Sequence, residues 1–166
     1  GDAKYWGKHS PVLFPIVGAL KNDEYIYQNK TYKLSRHGFA RDYNFAVQQI
    51  SAKEAIFTLT DNEETLKNYP FHFELQLHYK LIEQKLNLTY KVKNTGKSEL
   101  LFSLGAHPAF AVPCTPDTSY EDYYLAFNED EKLVHWKLEN GLITNDRETL
   151  DLSRHKLKLK HDLFYD

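Results

Sequence analysis

Between Phe71 and Lys80 the chain alternates apolar and polar side chains without a break: Phe71-His72-Phe73-Glu74-Leu75-Gln76-Leu77-His78-Tyr79-Lys80. Successive side chains of a strand point to opposite faces, so this run predicts a strand with one face buried and the other wet. After a short link around Glu83-Gln84, residues 86–93 alternate in the same way, and the two runs are expected to pair as an antiparallel hairpin.

Weaker strand signals recur from end to end. Residues 25–27 and 31–34 flank Gln28-Asn29-Lys30, and residues 45–50 and 55–59 flank residues 51–54; each reads as a further hairpin. Asn94-Thr95-Gly96 carries turn chemistry, because Asn and Gly tolerate positive φ, and residues 98–104 are expected to return as a strand. Residues 123–127, 133–138 and 156–160 read as strands separated by polar connections such as Glu139-Asn140-Gly141. Asp61, Glu63 and Glu64 read as a solvated acidic loop. No long stretch has helical period and no internal repeat is evident, so the pattern points to an all-β sandwich or barrel.

At 166 residues a chain can remove roughly two-thirds of its unfolded surface from water, and residues 1–166 read as one domain. Twelve Tyr and ten Phe against seven Gly and six Pro suit half-buried pleated surfaces, and aromatic faces also stack on sugar rings. The net charge is -2 and no basic block is present, which argues against a nucleic-acid partner. Lys156, Lys158 and Lys160 alternate with Leu157 and Leu159, as on the solvated face of a strand. Cys114 is the single cysteine, so no intrachain disulfide forms and a cytoplasmic location is the default. No apolar run approaches the roughly 20 residues of a membrane helix, and Gly1-Asp2-Ala3-Lys4 is not a signal peptide. The chain opens in aromatic Tyr5-Trp6 and closes on Leu163-Phe164-Tyr165-Asp166. Both ends are expected to lack partners present in a longer fold, leaving open strand edges that allow self-association.

Two segments break the alternation with ionisable groups. Arg36-His37-Gly38-Phe39-Ala40-Arg41-Asp42 is either a charged surface turn or a compact polar site in which Gly38 bends the backbone to aim His37 into a cleft. Gly105-Ala106-His107-Pro108-Ala109-Phe110 sets one titratable ring in an apolar neighbourhood, which suits a general acid or base as well as a hydrogen-bonded core residue. His72 and His78 share a strand face but stand too far apart to bind one metal ion. Cys114 lacks the paired cysteines of a zinc site, and neither a nucleophile elbow nor a phosphate-cradling loop occurs.

Read in order, Trp6, Ser10-Pro11-Val12-Leu13-Phe14-Pro15-Ile16-Val17-Gly18, Arg36-His37-Gly38-Phe39-Ala40-Arg41 and Gly105-Ala106-His107-Pro108-Ala109-Phe110 resemble the aldose 1-epimerase family, closest to its LacX-like branch. Tyr69-Pro70-Phe71 and Val92-Lys93-Asn94-Thr95 add to the likeness. The resemblance implies a galactose-mutarotase-like β-supersandwich that interconverts the α and β anomers of a hexose or hexose phosphate without a cofactor or metal. It gives His107 the place of the general acid, His37 that of a substrate-orienting histidine, and Arg41 that of a hydroxyl or anion ligand. The family's general-base Glu and sugar-binding Asp are expected beyond the residues given, so a polypeptide limited to these residues is expected to be poorly active. The rival readings are a non-catalytic carbohydrate-binding module on the same sandwich and a structural β-domain that contacts another protein.

Overall fold

The structure, a computed structural model, describes residues 3–4, 6–129, 132–150 and 152–164; Gly1-Asp2, Tyr5 and Tyr165-Asp166 of the terminal segments lie outside the described residues. In chain order the strands are β1 (Val12–Leu13), β2 (Glu24–Tyr27), β3 (Lys30–Lys33), β4 (Ala46–Ser51), β5 (Glu54–Thr60), β6 (Phe73–Ile82), β7 (Lys85–Asn94), β8 (Gly105–Ala106), β9 (Tyr124–Ala126), β10 (Leu133–Glu139), β11 (Leu142–Leu150) and β12 (Lys156–Lys158). One six-residue α-helix, α1 (Glu63–Asn68), and four short 3-10 turns interrupt them among the described residues. The fold class is all-β.

The chain divides into two compact units, Gly1–His107 and Pro108–Asp166. The first is built on an antiparallel sheet of order β4-β5-β6-β7. β6 and β7 pair without interruption from Phe73↔Asn94 to Ile82↔Lys85, the hairpin that the two alternating runs predict. Register places Leu59, Leu75 and Val92 in one row and Phe57, Leu77 and Tyr90 in the next. Glu74, Gln76, His78 and Lys80 therefore point the other way, where Glu54 binds His78 at 2.7 Å and Lys80 at 3.1 Å.

The apolar face packs on Phe14, whose ring is fully buried 5.0 Å from that of Phe73 and 6.1 Å from that of Tyr69. Val12, Leu34, Ala40 and Phe71 complete the core at this end. Towards the opposite end Leu81, Ile82 and Leu86 are exposed.

The hairpins of β2 with β3 and β4 with β5 form as expected. Gln28 and Asn29 take positive φ between β2 and β3, the backbone hand that a two-residue hairpin turn requires.

Three expectations are corrected. Residues 98–104 form no strand, because their backbone bonds go singly to separate partners. Ser103 N–H donates to Pro15 O at 2.8 Å, Leu101 O accepts from the Tyr69 hydroxyl at 2.8 Å, and Ser98 O accepts from Asn94 Nδ2 at 2.7 Å. The turn before them uses a side chain rather than positive φ, with Asn94 Oδ1 accepting from Gly96 N–H at 2.9 Å. Of the acidic cluster, Asp61 lies in a connection but Glu63 and Glu64 do not: Asn62 Oδ1 accepts from Glu64 and Thr65 N–H, and Thr65 Oγ1 accepts from Asn62 N–H, a capping box that starts α1. Glu63 and Glu64 thus sit in the first turn, where the helix dipole favours negative charge.

In the second unit β9 pairs with β12, and β10 with β11 through an Asn140-Gly141 turn in which both residues have positive φ. The expectation marked no strand at β11; its Thr144-Asn145-Asp146-Arg147-Glu148-Thr149 stretch carries no apolar alternation. Lys156 and Lys158 are exposed while Leu159 is buried, as the alternating pattern requires.

Candidate functional site

The two ionisable segments meet because both are fastened to residues 11–15. On one side β8 pairs with β1, Val12↔Ala106 and Leu13↔Gly105, and His107 N–H continues the ladder by donating to Pro11 O at 3.2 Å. On the other side Phe14 bridges Gly38, and the single carbonyl of Phe14 accepts from both Phe39 and Ala40 N–H at 3.1 Å. One short extended segment, anchored by the buried Phe14 ring, thereby fixes the sequence-remote His37 and His107 in one place.

Gly38 is required by the close approach. Its φ is +69°, and a Cβ there would collide with the Phe14 carbonyl and come within 2.7 Å of Pro15 Cδ. His37 is also left-handed, with φ of 70°, a conformation that costs a non-glycine residue about 1–3 kcal/mol unless its surroundings over-determine it. Two hydrogen bonds do so: His37 N–H donates to Gly18 O at 2.8 Å, and Gly18 N–H donates to His37 Nδ1 at 3.0 Å.

His37 and His107 line a hollow of about 310 Å³ together with Trp6, Pro11, Leu13, Arg36 and Arg41. That volume lies at the lower end of small-molecule pockets, about 300–1,000 Å³. The Trp6 ring lies over the His107 imidazole, centroids 4.8 Å apart and planes inclined by 31°. Of the apolar neighbourhood expected for His107, the hollow supplies this contact and the walls at Pro11 and Leu13; the residue itself is exposed. Arg41 Nη2 donates to Arg36 O at 2.8 Å, Arg41 Nε lies 3.6 Å from Asp42 Oδ2, and Lys8 binds the other Asp42 oxygen at 2.9 Å. Arg41 Nε is shielded from solvent and has no hydrogen-bond partner.

Partial burial, then the charges of Arg36 and Arg41 and the imidazole of His107, hold the His37 pKa below its ordinary value. The hollow therefore presents fixed cations, a neutral imidazole and a second imidazole, all able to face oxygen atoms. No carboxylate lines it among the described residues.

All three residues expected from the sequence, His37, Arg41 and His107, face this hollow. Arg36 belonged to the polar segment but was given no role of its own, and the walls at Pro11 and Leu13 and the amide of Gly18 were not singled out. Gly18 closes the Pro11-to-Gly18 motif, but a backbone N–H leaves no mark on a sequence. A wider apolar groove of about 570 Å³ runs along Ala55, Phe57, Leu77, Tyr79 and Leu86, but its carboxylate, Glu54, is taken up by His78 and Lys80. No group of three or more His, Cys, Asp or Glu side chains is placed to hold a metal ion among the described residues; His72 faces Asp61 and His78 faces Glu54.

Comparison with known proteins gives the same neighbourhood. The chain is 35 % identical over 172 residues to the LacX proteins of Lactococcus lactis subsp. lactis, an alignment covering 98 % of this chain and 58 % of theirs. A galactose mutarotase related enzyme from Lactobacillus acidophilus superposes with a TM-score of 0.91 at 39 % identity, over 99 % of this chain and 55 % of that one. A galactose mutarotase-like protein from Lactobacillus casei gives a TM-score of 0.88 at 37 % identity, over 98 % and 56 %. The chain thus spans little more than half the length of these relatives. The sequence profile of the aldose 1-epimerase family matches residues 1–162, and this chain belongs to that family.

Proposed function

We propose that the protein interconverts the α and β anomers of a hexose or hexose phosphate by acid–base opening of the sugar ring. The observation that carries this reading is the meeting of two imidazoles and two guanidiniums, brought from remote parts of the chain, in one hollow. Opening a cyclic hemiacetal removes the proton from the anomeric hydroxyl, forms the C1=O bond, breaks the bond from C1 to the ring oxygen and delivers a proton to that oxygen. Rotation about the C1–C2 bond and the reverse steps give the other anomer. His107 is the donor to the ring oxygen, His37 orients the sugar, and Arg41 with Arg36 binds hydroxyls or a phosphate. These steps transfer protons and shift electron pairs within the sugar without net oxidation or reduction, so the proposal calls for no cofactor, and the lone Cys114 suits a reducing, cytoplasmic setting.

Acid and base each contribute about 10²- to 10⁴-fold, and this hollow holds no carboxylate among the described residues. We assign the base to a carboxylate outside these 166 residues. The same observation favours the second reading, a module that binds sugar without turning it over. Polarimetry with a freshly dissolved single anomer separates the two. In the full-length protein, His107→Ala should abolish mutarotation while leaving most sugar binding, and a polypeptide limited to residues 1–166 should show little turnover. Undiminished activity in the His107 variant refutes the acid assignment, and sugar binding by a full-length protein with no turnover leaves the binding module.

A further inference from the structure

We propose that Gly18 is a positioning residue for His37: its amide locks the imidazole as the Nε2–H tautomer, so that the ring presents a hydrogen-bond donor, and not an acceptor, to the hollow. The value of this donor to a sugar rests on the function proposed above, whereas the lock itself does not.

A backbone N–H can only donate, so the ring nitrogen that receives it must carry a lone pair. Gly18 N–H lies 3.0 Å from His37 Nδ1, and Nδ1 is therefore unprotonated. A neutral imidazole keeps one proton, which must then sit on Nε2. The bond is one half of a closed pair, because His37 N–H donates to Gly18 O at 2.8 Å. Both residues are left-handed, Gly18 with φ of 86° and His37 with φ of 70°, and the glycine adopts this freely. Two short loops are thus cross-tied amide to ring and amide to carbonyl, which holds the ring in the wall shared with Arg41 and His107. Arg36, Arg41 and His107 are the ionisable groups facing His37, and Asp42 is engaged by Lys8 and Arg41. None of them offers Nδ1 a competing acceptor among the described residues.

The assignment separates two chemistries. A ring fixed as Nε2–H donates to a sugar oxygen and cannot take a proton on the nitrogen that faces the hollow. A ring with the proton on Nδ1 would do the reverse.

Histidine-selective ¹⁵N NMR of the full-length protein, without sugar and at neutral pH, reads the tautomer directly. The expected spectrum of His37 has a protonated, pyrrole-type Nε2 and a lone-pair, pyridine-type Nδ1. Two averaged nitrogens, or protonation on Nδ1, overturn the proposal. The peak is assigned by its loss in His37→Gln, or, should that variant not fold, by coupling across the hydrogen bond from the Gly18 amide. Titration with galactose and glucose then tests the functional reading separately: an Nε2–H ring that ignores both sugars supports the lock and counts against sugar orientation by His37. As a second test of sugar orientation, His37→Gln restores a donor at the Nε2 position and His37→Asn only an acceptor at the Nδ1 position. Gln should therefore bind the responding sugar about tenfold more tightly than Asn, the worth of one good hydrogen bond; equal affinities would count against sugar orientation by His37, while the lock stands or falls on the spectrum.

Discussion

The guanidinium of Arg41 is held between the Arg36 carbonyl and the Asp42 carboxylate, whose Oδ2 lies 3.6 Å from Nε. Nη2 is spent on the Arg36 carbonyl, while Nε is shielded from water without a hydrogen-bond partner. Arg41 lines the hollow, where its planar fork can donate to a ligand oxygen. Lysine keeps the charge but loses the planar fork. Arg41→Lys in the full-length protein is therefore expected to raise KM for the sugar by about tenfold with a smaller change in kcat, and the loss should be larger for a hexose phosphate than for the free hexose. Steady-state mutarotation kinetics on both substrates checks this. His37 titrates differently from an isolated histidine because burial and the cations at Arg36 and Arg41, with His107, hold its folded-state pKa below the ordinary 6.5. Above that value neither folded nor unfolded chain is protonated there, and the contribution to stability is complete. As pH falls from 6.5 towards the folded value the unfolded chain takes the proton first, and stability is lost. Replacing Arg36 by Gln removes one of the charges, so the urea midpoint of Arg36→Gln should fall less steeply with acid than that of the parent, and the NMR titration of His37 should move up. An unchanged acid limb would show that the charge does not act on the ring.

Among the elements, the extended segment around β1 does the positioning, and its tolerance is set by how closely Gly38 approaches Phe14. Alanine at position 38 would need both a left-handed backbone, about 1–3 kcal/mol, and a retreat from the Phe14 carbonyl that also receives Phe39 and Ala40 N–H. Gly38→Ala is expected to lower stability by at least that amount and to reduce sugar affinity more than Arg41→Lys does, since His37 moves with the bridge. Thermal unfolding and a sugar titration read the two effects, and a variant with parental stability would contradict the account. The long hairpin of β6 and β7 was legible in the sequence because Phe73, Leu75, Leu77 and Tyr79 alternate with charged and amide residues, and period alone decides a half-buried strand. β1 and β8, two residues each, leave no period to read, yet they carry the site. His37, Arg41 and His107 stood out as ionisable groups in otherwise patterned sequence, and the ordered motifs tied them together. The Gly18 amide, the Phe14 carbonyl and the irregular course of residues 98–104 were not legible, because backbone groups acquire partners only when remote segments meet.

On the scale of the whole molecule, among the described residues no further strand pairs with β4 or β7 at the margins of the four-stranded sheet, and its apolar face packs on the core at the Phe73 end while Leu81 and Leu86 are exposed. All six residues of β4 are exposed, including Val47 at 61 % and Ile50 at 48 %. A strand edge presents unpaired N–H and C=O groups, and here it lies beside exposed apolar side chains, a combination that templates pairing with another chain. A polypeptide of these residues meets water with this edge and these side chains. Such a polypeptide is expected to self-associate through β4, with sedimentation velocity showing a mean mass that rises with concentration. Val47→Lys places a charge on the edge, which should shift the distribution towards monomer without loss of the far-ultraviolet β signal. Association that persists undiminished in Val47→Lys but disappears in Leu86→Lys would move the contact from the β4 edge to the open apolar groove, and a strictly monomeric parent polypeptide would refute both.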